Sequence, residues 1–148
     1  PLRWEELDAL RVSKKTTPFS GTTVVTAPNG KALWFSKNII PAIRKEDEQR
    51  DNSEFSPVQQ HLGLYGYRFD ILKRYVSLPQ TPYEKLEGLE QLRLLENGIS
   101  IQTVSLELES GLIQAGIDSP EDVQRAEKMI KKYGDSFHEH TNKEHLSA

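Results

Sequence analysis

Apolar side chains recur along this chain at two spacings, near 3.6 residues and at 2, and the switches between them mark its elements. Residues 4–12 (WEELDALRV) set Trp4, Leu7, Leu10 and Arg11 at helical spacing and predict a short helix. Residues 13–20 are polar, contain Pro18 and predict a loop. The β-branched run at 22–26 (TTVVT) and the apolar run at 32–36 (ALWFS) predict two strands of a hairpin, joined through Ala27-Pro28-Asn29-Gly30. Ile39-Ile40-Pro41 should then leave the sheet, because proline cannot extend a central ladder. Residues 45–60 are the least hydrophobic internal stretch and predict a mobile surface loop, either a lid or a solvated insertion.

Residues 61–68 (HLGLYGYR) alternate. They predict a strand with Leu62, Leu64 and Gly66 on one face and His61, Gly63, Tyr65 and Tyr67 on the other. A short helix at 69–76 should end at Pro79. Residues 81–98 carry both ends of a helix: Thr81, Pro82 and Glu84 form a capping signal, and Asn97-Gly98 a left-handed stop. A second alternating strand is expected at 100–108 and a loop at 111–116. The last helix should start at Ser119-Pro120, carry Val123, Ala126, Ile130 and Tyr133 as its stripe, and stop at Gly134. Residues 134–148 lack periodicity and are read as a disordered tail, so 1–133 form the single structured part. This order of elements predicts an α/β or α+β mixture.

One position breaks the pattern. In a continuous helix over 81–98, Leu86, Glu90 and Leu94 would follow one another on one face, so a carboxylate interrupts an apolar row. Charged groups are rarely buried unpaired. Glu90 therefore either pairs with Arg93, three residues on, or faces a ligand cavity.

Composition narrows the function classes. With 148 residues the chain can bury one sizeable core. Net charge of −3 without a basic run argues against nucleic acid as the main partner. The absence of cysteine excludes disulfides and thiolate metal sites and fits a cytoplasmic setting. No apolar run reaches the length of a membrane span. The first residue is Pro1, which suggests a processed or shortened chain.

Several residue types invite chemistry. Asp118, just before the cap of the last helix, suits a hard cation such as Mg²⁺, or simply favours the positive helix end. His61 and Tyr65 share a strand face, which is either a ligand-facing stripe or the solvent face of a sheet. Arg44 could grip a carboxylate or phosphate with its planar fork, or be an ordinary exposed arginine. His138, His140 and His145 belong to the tail, where a solvated role outweighs weak metal binding. Glycine-rich phosphate loops, Gly-x-Ser-x-Gly and His-Glu-x-x-His are all missing from the sequence.

Four segments in order, ALWFSKNIIPAIR, HLGLYGYR, LEGLEQLRLLENG and GIDSPED, say more than any single residue. Together they resemble the 3-deoxy-manno-octulosonate cytidylyltransferases, the CMP-Kdo synthetases of lipopolysaccharide synthesis, from about residue 22 to about residue 133. The resemblance implies a nucleotide-diphospho-sugar-transferase-like α/β fold, a cytoplasmic homodimer, Mg²⁺, and the reaction CTP + Kdo → CMP-Kdo + pyrophosphate. It assigns Asp118 to the metal, and His61, Tyr65, Glu90, Gln91 and Arg44 to the sugar acid. Lys37 departs from the arginine usual in the FSR segment, and Thr23 from a usual lysine. The segments correspond to roughly the C-terminal half of such an enzyme, the sugar-binding and dimerising part, so this chain alone is expected to be inactive for want of the CTP-binding half. Activation of 8-amino-Kdo or a sialic acid, or a role as a standalone non-catalytic sugar-binding or dimerisation module, are the other readings.

Overall fold

The runs TVVT and ALWFS pair as the hairpin their spacing predicts, β1 (Thr23–Thr26) with β2 (Ala32–Ser36), antiparallel and with Val24 opposite Phe35. The register slips between Val25 and Thr26, so Thr26 faces Ala32. Gly30, at φ +78°, closes the turn by donating its N–H to the Ala27 carbonyl at 2.9 Å. A side chain there would also run into Gln102 Nε2, 2.5 Å from an added Cβ.

The computed structural model describes residues 1–106 and 120–133. They fall in two units, Pro1–Ser110 and Gly111–Ala148. The first unit is a mixed α/β arrangement on a three-stranded antiparallel sheet of order β2-β1-β3, where β3 is only Gln59–Gln60. The strand expected at 100–108 shrinks to one bridge, Lys31 with Gln102, and Glu107 and Leu108 lie outside the described residues. Ala32 N–H still donates to the Ile101 carbonyl at 2.9 Å, which lays this segment along the outer edge of β2.

Helix α1 (Trp4–Ser13) buries Trp4 and Leu7. The polar stretch expected as a loop instead contains a helix, α2 (Glu46–Asn52), clasped to α1 by charge. Arg50 bonds Asp8 and Glu46, each at 2.7 Å, and Arg11 bonds Glu46 through both its terminal nitrogens. The Arg50 guanidinium also lies 4.5 Å over the Trp4 ring, whose indole N–H donates to the Ser53 carbonyl. These two- and three-partner contacts are how a strongly polar stretch becomes ordered without apolar burial. Helix α3 (Phe69–Ser77) follows the irregular run 61–68.

The single helix expected over 81–98 is two: α4 (Pro82–Glu87) and α5 (Leu92–Glu96). Gly88 sits at φ +62° and turns the chain between them. The break lets Leu89 and Leu92 join Val24, Ala32 and Phe35 in the core, while Leu86 stays 79% exposed. Burying a leucine such as Leu92 contributes roughly 1.5–3 kcal/mol over leaving it in water, so the core decides against one straight helix. The Leu86–Glu90–Leu94 row therefore never forms. The expected helix start is confirmed at Thr81, where Glu84 accepts the Thr81 N–H at 3.1 Å, and Glu96 adds a second cap by accepting from the N–H groups of Tyr83 and Glu84. In the second unit α6 (Pro120–Tyr133) matches the last expected helix, with Val123 and Ile130 exposed.

Candidate functional site

Residues 61–68 leave the sheet after His61, whose N–H donates to the Thr22 carbonyl at 2.9 Å. They form no strand, yet the alternation survives in burial. His61, Tyr65 and Tyr67 are half-buried, whereas Leu62 and Leu64 are 43% and 82% exposed. The aromatic face thus turns inward and is not a solvent face.

The inward face is a row of rings. His61 stands edge-on to Phe35 of β2, with ring centres 5.3 Å apart, and its Nε2 is 2.7 Å from the Tyr65 hydroxyl. Tyr65 leans on Tyr67 at 6.1 Å, and Tyr67 stacks on Tyr75 of α3 at 6.0 Å. Such pairs contribute roughly 0.5–1.5 kcal/mol each beyond their buried area. Burial, and then the Lys37 charge, lower the His61 pKa from its usual value. Burial raises that of Tyr65, with smaller contributions from Tyr67, Glu90 and Tyr75. A neutral imidazole beside a phenol that keeps its proton follows, and a phenol donating to Nε2 satisfies both groups.

The far end of the row is set by the α4–α5 elbow. Tyr75 hydroxyl donates to the Glu90 carbonyl at 3.4 Å, and the exposed Glu90 carboxylate helps raise the Tyr67 and Tyr75 pKa values after burial has done so. Arg93 does not pair with Glu90. It forks onto Glu84, Nε to Oε2 at 2.8 Å and Nη2 to Oε1, and lies 4.7 Å over the Tyr75 ring. That pair is largely buried, with the Glu84 carboxylate pulled below its usual range first by Arg93. Gln91 is 4% exposed, and its Nε2 has no hydrogen-bond partner among the described residues. At the other end Glu87 of α4 accepts from Ser36 Oγ and the Lys37 N–H, both at 2.8 Å, which ties the FSK segment to the elbow.

A groove of about 760 Å³ runs along the row, walled by Val24, Phe35, His61, Tyr65, Tyr67 and Ile101 among others. The structure thus brings His61 and Tyr65 together in a wall and connects Glu90 to the row through Tyr75. Gln91 lies beneath the elbow and off the groove wall. Arg44 is exposed, off the wall, and makes no ion pair with a described residue. Asp118, His138, His140 and His145 lie outside the described residues. Among the described residues no three His, Asp or Glu side chains gather as a metal site. Tyr67, Tyr75 and Glu84 belong to the arrangement without having been singled out. Tyr67 was signalled by its period-two spacing from Tyr65 and Glu84 only as part of the helix cap, while nothing local signalled Tyr75.

The sequence pattern of the family described as Cytidylyltransferase matches residues 6–101, well over half of the chain. The chain belongs to this cytidylyltransferase family. It is 45% identical over 126 residues to the 3-deoxy-manno-octulosonate cytidylyltransferase of Maricaulis maris (strain MCS10), covering 85% of this chain and 46% of the relative. To the enzyme of the same name from Thermodesulfovibrio yellowstonii it is 42% identical over 127 residues, covering 84% and 48%. A solved structure of CMP:2-keto-3-deoxy-manno-octonic acid synthetase complexed with CTP superposes with a TM-score of 0.61 at 25% identity, over 88% of this chain and 57% of that one. This cytidylyltransferase chain accordingly shares that enzyme's mixed α/β fold and spans about half the length of the relatives it matches.

Proposed function

We propose that this chain supplies the sugar-acid side of a 3-deoxy-manno-octulosonate cytidylyltransferase. In that reaction the anomeric hydroxyl of the sugar acid attacks the α-phosphate of CTP. A sugar–phosphate bond forms, the bond to pyrophosphate breaks, and the hydroxyl proton is lost. The observation that carries the reading is the neutral His61–Tyr65 pair turned into the groove wall at 2.7 Å. A polyhydroxylated acid offers hydroxyls that such a pair can bind without a charge to neutralise, and the tyrosine faces cover its C–H surface. Glu90, exposed beside the row, accepts further hydroxyls, and the Lys37 cation, which acts on His61, is suited to the sugar acid's carboxylate, with Arg44 added on the resemblance alone. Lys37 gives a point charge where an arginine would give a fork. The relatives' shared name and the CTP-bound structural neighbour support the same reaction. Mg²⁺ held by Asp118, a homodimer, and a cytoplasmic place in lipopolysaccharide synthesis complete the proposal on the resemblance. Magnesium would offset charge on the CTP phosphates.

Calorimetric titration of Kdo into the chain tests it. Saturable binding is expected, weakened about tenfold by Glu90→Ala with the melting temperature unchanged, as for loss of a charge-assisted hydrogen bond. A Glu90→Ala protein that melts lower but binds equally well would return Glu90 to a structural role. Tighter binding of 8-amino-Kdo or a sialic acid than of Kdo in the same titration would reassign the substrate.

A further inference from the structure

We infer that Arg93 and Tyr75 are positioning residues that hold the elbow bearing Glu90 in register with His61 and Tyr65. The inference rests on the sugar-acid reading above and adds the means by which two separate stretches form one binding surface. His61 and Tyr65 come from an irregular run that no ladder fixes, and Glu90 from the four-residue turn between two short helices. Neither stretch has a rigid element of its own. What joins them is a continuous line of contacts: Glu84 to Arg93, Arg93 over Tyr75, Tyr75 on Tyr67, Tyr67 on Tyr65, and Tyr65 to His61. Tyr75 does two things in this line. Its face carries the guanidinium and the Tyr67 ring, and its hydroxyl bonds the Glu90 carbonyl. Arg93 is likewise double-sided, since its fork spans both carboxylate oxygens of Glu84 while its plane lies on the ring. A lysine keeps the charge opposite Glu84 but has neither fork nor plane.

Arg93→Lys and Tyr75→Leu in the full chain separate positioning from bracing. His61 ring resonances are read by NMR and Kdo binding by calorimetry. Two rings, Tyr67 and Tyr65, stand between Tyr75 and His61, so loss of the Tyr75 ring does not reach His61 except through the row. Both variants are expected to shift the His61 resonances and to weaken Kdo binding about tenfold, the scale of a small displacement passed through a packed network. Folded variants that leave the His61 resonances where the parent has them would overturn the inference and make Glu84–Arg93 a brace of α4 and α5 alone. If Arg93→Lys fails to fold, Tyr75→Leu decides by itself, because Tyr75 is only half-buried. Shifted His61 resonances in a chain whose parent form binds no Kdo would uphold the positioning and sink the sugar-acid assignment.

Discussion

Gln91 is a side chain that costs the fold stability. Its amide nitrogen is buried without a partner among the described residues, and an unsatisfied buried polar group costs about 1–3 kcal/mol. Methionine has the same length and no donor to satisfy. Gln91→Met should therefore raise stability by about 1 kcal/mol in urea unfolding. A variant that is less stable would mean the amide is satisfied in solution. At this scale spacing carried some information but not partnership. His61, Tyr65 and Tyr67 were legible together because alternation persists even where no ladder forms. The partner of Arg93 was not legible. Three-residue spacing pointed to Glu90, but the actual partner is Glu84, nine residues back, brought round by a chain reversal that pairwise helix rules do not contain.

That reversal belongs to the elements. Thr81, Pro82 and Glu84 announce the start of α4, and Gly98 at φ +70° ends the segment as its sequence promises. The middle misleads, because the apolar residues of 86–95 fit a helical stripe while Gly88 quietly permits a left-handed turn. An added Cβ at Gly88 meets nothing within 4 Å, so the cost of Gly88→Ala is conformational and not steric crowding by neighbours. Gly88→Ala is expected to destabilise by roughly 1 kcal/mol in urea unfolding, the usual scale for an L-residue held in that region. No change in stability would show that the elbow can relax. The segments at 61–68 and 100–106 miss being strands for a different reason. Alternation reports which face is buried, but a strand also needs a neighbour to bond, and that neighbour is set by topology.

For the whole molecule, the mixed α/β class, the hairpin and most helices were readable from periodicity, whereas the α1–α2 clasp was not. It is made of Asp8, Arg11, Glu46 and Arg50, which in sequence resemble any solvated charge run. The clasp predicts acid sensitivity of a definite sign. Hydrogen bonds from Arg11, and then from Arg50, lower the Glu46 pKa from 4.5 to about 2. Asp8 is lowered chiefly by Arg50. A depressed carboxylate stabilises the fold above its unfolded pKa and loses that contribution as the pH falls through the folded one. The parent should thus melt higher than Glu46→Gln at pH 6, with the gap closing between about pH 4.5 and about pH 2. A gap that does not depend on pH would assign the clasp's effect to packing.

The two tryptophans give these junctions separate optical signals. Trp4 is buried in the clasp, under Arg50 and bonded to Ser53, while Trp34 meets Tyr83 of α4 edge-on at 5.2 Å. A Trp34→Phe chain therefore emits from the clasp alone, and its emission should move to the red as acid releases α2. A Trp4→Phe chain emits from the hairpin–α4 contact instead. The chain thus carries its own dyes, one in the α1–α2 clasp and one where β2 meets α4.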